Sequence, residues 1–341
     1  MATVQTREAT ELTFSEVLQR LGKLGLNPSS VRALGLPDWW DPALETDPMA
    51  VLEGAGYIAK RLGLDPLSVL TPGADIVLKG QLAPKFKTRI STNLEEIRVI
   101  QGIACRVAEA VALCTPFPYQ GLPANAQEIR QRILSNKPWV DLESLIGFCW
   151  GQGIPVVHLP PLPPELRKID GLAVKINDRP VIVLAKQKKF SAWILFILAH
   201  ELGHILLGHV TDVPLIDEKV NTTGDDHEEK AANQFAIDLI LGEAQHLNWP
   251  TALYFPVLRQ KALDLAITSQ ADPGAICFNY AWQRQQNSAW ATATAAVKQI
   301  QSHIDEPDPH QLVNQVLKKY LDLTRLDTDT QAYLALLAFG G

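Results

Sequence analysis

A chain of 341 residues with 47% hydrophobic content can build one large domain or two to three smaller ones. Its 31 Lys and Arg against 37 Asp and Glu leave a formal charge of −6, which excludes a global basic field for nucleic acid. Cys105, Cys114, Cys149 and Cys277 form no C-x-x-C pair, so they read as buried thiols of a reducing compartment rather than a disulfide or zinc framework. The start has no apolar h-region. No signal peptide is expected, and the expected location is the cytoplasm.

Residues 13–70 read as short helices broken by Gly and Pro, with Trp39-Trp40 between Pro37 and Pro42. A stretch carrying Lys79, Lys85, Lys87 and Arg89 follows and reads as a solvated linker. Residues 92–150 hold two to three amphipathic helices. Then come three apolar runs, Ile154–His158, Gly171–Ile176 and Val181–Leu184. A proline-rich link separates the first from the second, and Asn177-Asp178-Arg179-Pro180 between the last two gives a four-residue hairpin signal. These runs predict a small sheet. Its edge, either Gly171–Ile176 or Val181–Leu184, is a candidate to take an added strand.

The next helix carries the chemistry. Ten largely apolar residues, Phe190 to Ala199, lead into His200-Glu201-Leu202-Gly203-His204, an H-E-x-x-H motif. The run is about half the length a membrane span needs. Two histidines four apart sit about 40° apart around a helix, so both imidazoles can reach one metal. Glu201 is rotated about 100° further, where its carboxylate can meet a metal-bound water. Burying these three side chains without a partner is costly, and a metal accounts for all of them. That is the layout of a zinc hydrolase: two nitrogen ligands and a general base.

A third ligand is needed. From His227 to Ile240 the sequence reads as a helix on which Glu229, Ala232, Asn233 and Ala236 share a face. The two alanines permit a close approach to the motif helix, and Glu229 then projects toward the metal. Glu228 and His227 point away and are second choices. The H-E-x-x-H-x-x-G-x-x-H pattern fails, because Leu207 and Val210 stand where Gly and His are required. His209, about 140° round the helix from His204, reads as structural. Beyond residue 243 the chain is helical and aromatic, with Trp249, Trp282 and Trp290. Glu306-Pro307-Asp308-Pro309 marks a break, and an amphipathic helix follows that reads as core or dimer contact.

The strings "LAHELGHILLGH" and "EKAANQFAIDLIL" together resemble the ImmA/IrrE family of bacterial zinc metallopeptidases. The likeness departs at Leu239-Ile240-Leu241-Gly242, where the family helix ends in L-L-M-P. The resemblance implies a zincin fold with His200 and His204 as ligands, Glu201 as base and Glu229 as third ligand. It also implies a narrow substrate, often a helix-turn-helix repressor in a stress, mobile-element or toxin–antitoxin circuit. The N-terminal helices resemble the XRE-type helix-turn-helix domains fused to such peptidases, and the helices after residue 245 look like a degenerate one. Residues 1–70 hold six Lys or Arg against nine Asp or Glu. An acidic module of this kind neutralises phosphates poorly, so no tight DNA binding is expected, and a docking role is preferred.

The expected fold is α+β and mostly helical. A zincin-like core, a small sheet packed on the motif helix, spans residues 91–245. A helical module (1–90) precedes it and a helical region (246–341) follows. The expected activity is peptide hydrolysis with Zn2+ as cofactor and a protein as substrate, possibly an XRE-type repressor, without a membrane. The donor that would stabilise the oxyanion is not identified by the sequence; His227, His246 and Tyr254 are weak candidates. The competing expectation is a non-catalytic, antitoxin-like regulator with a structural metal. Glu201 favours the enzyme, because a structural zinc site has no use for a base.

Overall fold

The computed structural model describes residues 11–79, 94–167, 169–210, 225–246, 249, 252–304 and 308–340. The basic residues Lys85, Lys87 and Arg89 and the Glu306-Pro307 part of the predicted break lie outside them. The chain opens with short helices α1 (Phe14–Lys23), α2 (Pro28–Gly35), α3 (Pro48–Arg61) and α4 (Pro66–Leu70). Thr13, Asn27, Asp47 and Asp65 precede them, each accepting a backbone N–H three residues on. Proline occupies the first turn of the last three, where its missing N–H is not needed. Trp39-Trp40 lies outside these helices, with Trp40 stacked near Phe14 at 6.2 Å.

Helices α5 (Leu94–Cys114), α6 (Ala126–Leu134) and α7 (Leu142–Gly151) follow. Strands β1 (Val156–His158), β2 (Gly171–Ile176) and β3 (Arg179–Leu184) then form a three-stranded sheet in the order β1-β3-β2. β1 runs parallel to β3, and β2 runs antiparallel to it. The turn is tighter than the four residues expected. Asn177 and Asp178, both at positive φ, make a two-residue loop closed by the pair Ile176 and Arg179. Pro180 is tolerated in a central strand because β1 pairs only with Ile182–Leu184, leaving Pro180 beyond its reach.

Among the described residues, the topology decides which edge is open. Val181–Leu184 is central and cannot take an added strand, so of the two expected candidates only Gly171–Ile176 remains. β1's outer edge is covered by α13 (Pro309–Tyr320). Asn314 on that helix accepts the His158 N–H at 2.9 Å and donates to the His158 carbonyl at 2.7 Å, as a neighbouring strand would. In β2, alternation from the closing pair directs the backbone groups of Gly171, Ala173 and Lys175 away from β3.

The sheet lies between α5 and α8 (Ser191–Leu206), which both pack on β2 and β3. Burial on both faces explains why β1 and Pro180–Leu184 of β3 are buried throughout instead of alternating. α9 (Asp225–Leu241) packs against α8. Where the family pattern has Met-Pro, α9 passes into a 3-10 turn at Gly242. There the Arg130 guanidinium caps the carbonyls of Leu239 and Ile240 at 3.0 and 2.9 Å. Helices α10 (Phe255–Ser269), α11 (Pro273–Arg284), α12 (Asn287–Ile304) and α14 (Thr328–Leu334) complete the chain with α13. The C-terminal amphipathic helix α13 is core-facing here, with Val313 and Leu317 buried. No helix among the described residues is long and apolar enough to cross a membrane.

Candidate metal centre and active-site cleft

α8 is apolar on nearly every face and is buried for most of its length, so His200 and Glu201 enter the core at 7% and 8% exposure. α9 crosses it closely because Gly203 faces Ala232 and Phe235. A Cβ on Gly203 would fall 2.9 Å from the Phe235 ring and 3.3 Å from the Ala232 Cα. Ala232 and Ala236 are fully buried. This approach brings the first turn of α9 to the motif.

His200, His204 and Glu229 converge. The two Nε2 atoms are 3.0 Å apart, and the Glu229 carboxylate oxygens lie 3.5 Å from His200 Nε2 and 3.4 Å from His204 Nε2. Bonds of about 2.0–2.1 Å around a tetrahedral zinc place ligand atoms about 3.3 Å apart. The trio would fit such an ion with little movement. Two imidazoles and a carboxylate are also a donor set suited to zinc. Glu228 and His227 are not part of the cluster.

Electrostatics separates the two glutamates. Burial pushes the Glu201 carboxyl upward, further helped by Glu229; His200, His204 and a backbone hydrogen bond from Ala173 oppose it without reversing it. Burial also pushes Glu229 up, but its hydrogen bonds to His200 and His204 and their charges overturn that. They leave it well below the usual carboxylate range. Burial lowers His204, and Glu229 and Glu201 more than compensate, so its net shift is upward.

His209 lies outside the cluster, and the helical angle is not the reason. α8 stops at Leu206, Gly208 takes φ +73, and the His209 N–H returns to the His204 carbonyl at 2.9 Å. This brings His209 Nδ1 to 3.0 Å from His204 Nδ1, so His204 is held at one nitrogen while the other faces the cluster. His227, His246 and Tyr254 are all exposed. None of the three lines the cavity described next.

A cavity of about 520 Å³ opens beside Glu201, His200 and Gly171. Its walls include Trp193 and Phe196 of α8, Ile237 of α9, Phe278 and Trp282 of α11, and Trp290 of α12. Sequence reading missed this surface, because aromatic residues on helices distant in sequence look like ordinary core. Gly171 shapes the junction, since a Cβ there would sit 2.8 Å from Glu201 Oε1.

The segment from β1 through α9 is also where the chain resembles known proteins. Residues 151–254 match the peptidase M78 family model, described as the IrrE N-terminal-like domain. This supports the ImmA/IrrE family and indicates a metallopeptidase-type function for that segment. Peptidases of family M78 are metal-dependent, and the His200, His204 and Glu229 cluster falls within the matched residues. No curated protein matches the chain.

Proposed function

We propose that this chain is a zinc-dependent endopeptidase that hydrolyses a specific intracellular protein. The carrying observation is the meeting of His200 Nε2, His204 Nε2 and the Glu229 carboxylate within 3.0–3.5 Å, with Glu201 on the adjoining helical position. His200, His204 and Glu229 would hold the ion. Bound zinc supplies a Lewis acid for the scissile carbonyl and lowers the pKa of water toward neutrality.

The remaining steps belong to the protein. Glu201 accepts the proton of the attacking water on its carboxylate and delivers it to the leaving amide nitrogen. Its burial and raised pKa bring that carboxylate nearer the working pH, which suits a group that must both take and give a proton. Gly171 leaves room for the carboxylate beside β2. The outward backbone groups of Gly171 and Lys175 can receive an extended substrate strand, and the Ala173 amide holds Glu201 in place.

The resemblance to ImmA/IrrE peptidases points to a regulator as substrate, such as an XRE-type repressor in a stress, mobile-element or toxin–antitoxin circuit. The helical N-terminal module, with three more acidic than basic residues over 1–70, suits protein docking better than DNA binding. The test is metal analysis of the purified protein, followed by co-expression of wild type or Glu201→Gln with a neighbouring repressor. About one zinc per chain and repressor cleavage by wild type alone are expected. Equal biological activity of both forms would sink the peptidase reading in favour of a regulator with a structural metal.

A further inference from the structure

The cavity beside Glu201 has a composition that the hydrolytic chemistry does not require. Three helices each present one stripe to it at i, i+3, i+4 and i+7 spacing. Trp193, Phe196, Ile197 and His200 come from α8, and Ala275, Phe278, Asn279 and Trp282 from α11, while the α9 stripe continues the face that carries Glu229. The Trp193 ring stands 5.3 Å from Phe278 and 5.7 Å from Trp290, and Trp282 is half exposed at the rim. Among the described residues its ionisable lining is Asp170, His200 and Glu201, with no Lys or Arg. Lys186 pairs with Asp170 at 2.5 Å and Lys188 stands 4.6 Å from the centre of the Trp193 ring, both outside the lining, so an acidic side chain would meet the Glu201 carboxylate and an apolar one would meet rings.

Position connects this surface to the reacting bond. The cavity begins at Gly171, the first residue of the open edge strand, and at Glu201. A peptide added antiparallel to β2 runs from the Ile176 end toward Gly171. The residues after the bond held at Glu201 then pass over the cavity.

We propose that this cavity is the specificity pocket of the enzyme, taking a large uncharged apolar side chain, aromatic or long aliphatic, from the residue that follows the scissile bond. The inference rests on the metallopeptidase reading above, and names the substrate class of that same site. Its volume of about 520 Å³ holds a bulky side chain together with part of the chain that carries it, within the usual range of ligand pockets.

The test has two arms. Zinc-loaded protein is titrated calorimetrically with hydroxamate-capped dipeptide amides that differ only in the side chain beside the cap: phenylalanine, leucine, alanine or aspartate. Metal-free protein is titrated with the N-acetyl amides of the same four residues by ligand-detected NMR. Burying a large apolar side chain corresponds to roughly ten- to hundredfold in affinity. The phenylalanine and leucine compounds should bind tighter than alanine by that factor, with aspartate weakest, and the metal-free series should follow the same order. Phe278→Ala and the rim variant Trp282→Ala should each reduce the phenylalanine-to-alanine ratio several-fold at unchanged zinc stoichiometry. Equal affinities across the series, or a preference unchanged in both variants, overturns the pocket and leaves the metallopeptidase reading intact. If zinc and every hydroxamate fail to bind, that reading fails instead, and the order in the metal-free arm decides the pocket by itself.

Discussion

Glu201 and Glu229 are both acidic side chains drawn into the same cleft, yet their surroundings push them in opposite directions. Glu201 is desolvated with its pKa raised, whereas Glu229 is held ionised by two imidazoles. Their substitutions should therefore fail differently. Glu201→Gln preserves shape and should bind zinc normally, while cleavage falls roughly 10²–10⁴-fold, the usual contribution of a general base; single-turnover assays beside metal analysis check this. Glu229→Ala should lose most of the zinc, and Glu228→Ala should retain it. Full metal in the first and loss in the second would move the third ligand by one residue. The meeting of His200 and His204 was legible in the sequence because helical spacing alone puts the two histidines on one face. His209 lies outside the cluster, but what sets its place is Gly208 ending the helix and not an angle around it.

Between elements, the site depends on how closely α8 and α9 approach. Gly203→Ala places a methyl 2.9 Å from the Phe235 ring and 3.3 Å from the Ala232 backbone. The helices must separate, which should cost about 1–3 kcal/mol by overpacking and weaken zinc binding by displacing Glu229. Gly147→Ala in α7 is the control. A methyl there meets nothing within 4 Å, so it should stabilise by about 0.5–1 kcal/mol through helix propensity. Urea unfolding of the two variants tests the contrast. The choice of open edge also belongs to this scale. Apolar runs locate strands, but pairing order depends on contacts between residues far apart in sequence. Both hairpin strands therefore looked equally able to receive a substrate until β3 was seen between β1 and β2.

Across the whole molecule, the helices before and after the matched segment are tied to one another. Arg61 of α3, at 3% side-chain exposure, reaches Asp329 at 2.6 Å, and Lys60 reaches the same carboxylate at 2.8 Å. Asp329→Ala should destabilise the chain by roughly 3 kcal/mol, because it strands a buried guanidinium; chemical denaturation at pH 7 checks it, with zinc content unchanged. A second contact predicts a pH response. Burial, and then the neighbouring His310, lower His158 to about 4, against hydrogen bonds with the Leu159 and Lys186 carbonyls and the charge of Asp308. With an unfolded value near 6.5, the unfolded chain binds more protons between these two limits. Stability due to this group is thus complete above about pH 6.5 and is lost as the pH falls toward 4. The loss is on the order of 3 kcal/mol. In metal-free protein, denaturation at pH 7 and pH 4.5 should show a smaller decline for His158→Gln than for wild type. Equal declines would assign the acid sensitivity elsewhere.

What the sequence determined by itself was local and periodic. Helical repeat placed His200, Glu201 and His204 and selected Glu229 over its neighbours, and β-branched apolar runs marked the strands. Such features follow from backbone geometry within one element. Only the tertiary structure decided the open strand edge, the Asn314 clamp on β1, the Arg130 cap on α9, the contact of His209 with His204 and the aromatic cavity. The cavity draws on residues from 170 to 290, and the β1 clamp joins Asn314 to His158. Each depends on which surfaces exclude water together, and that is a property of packing between distant segments rather than of any window of sequence.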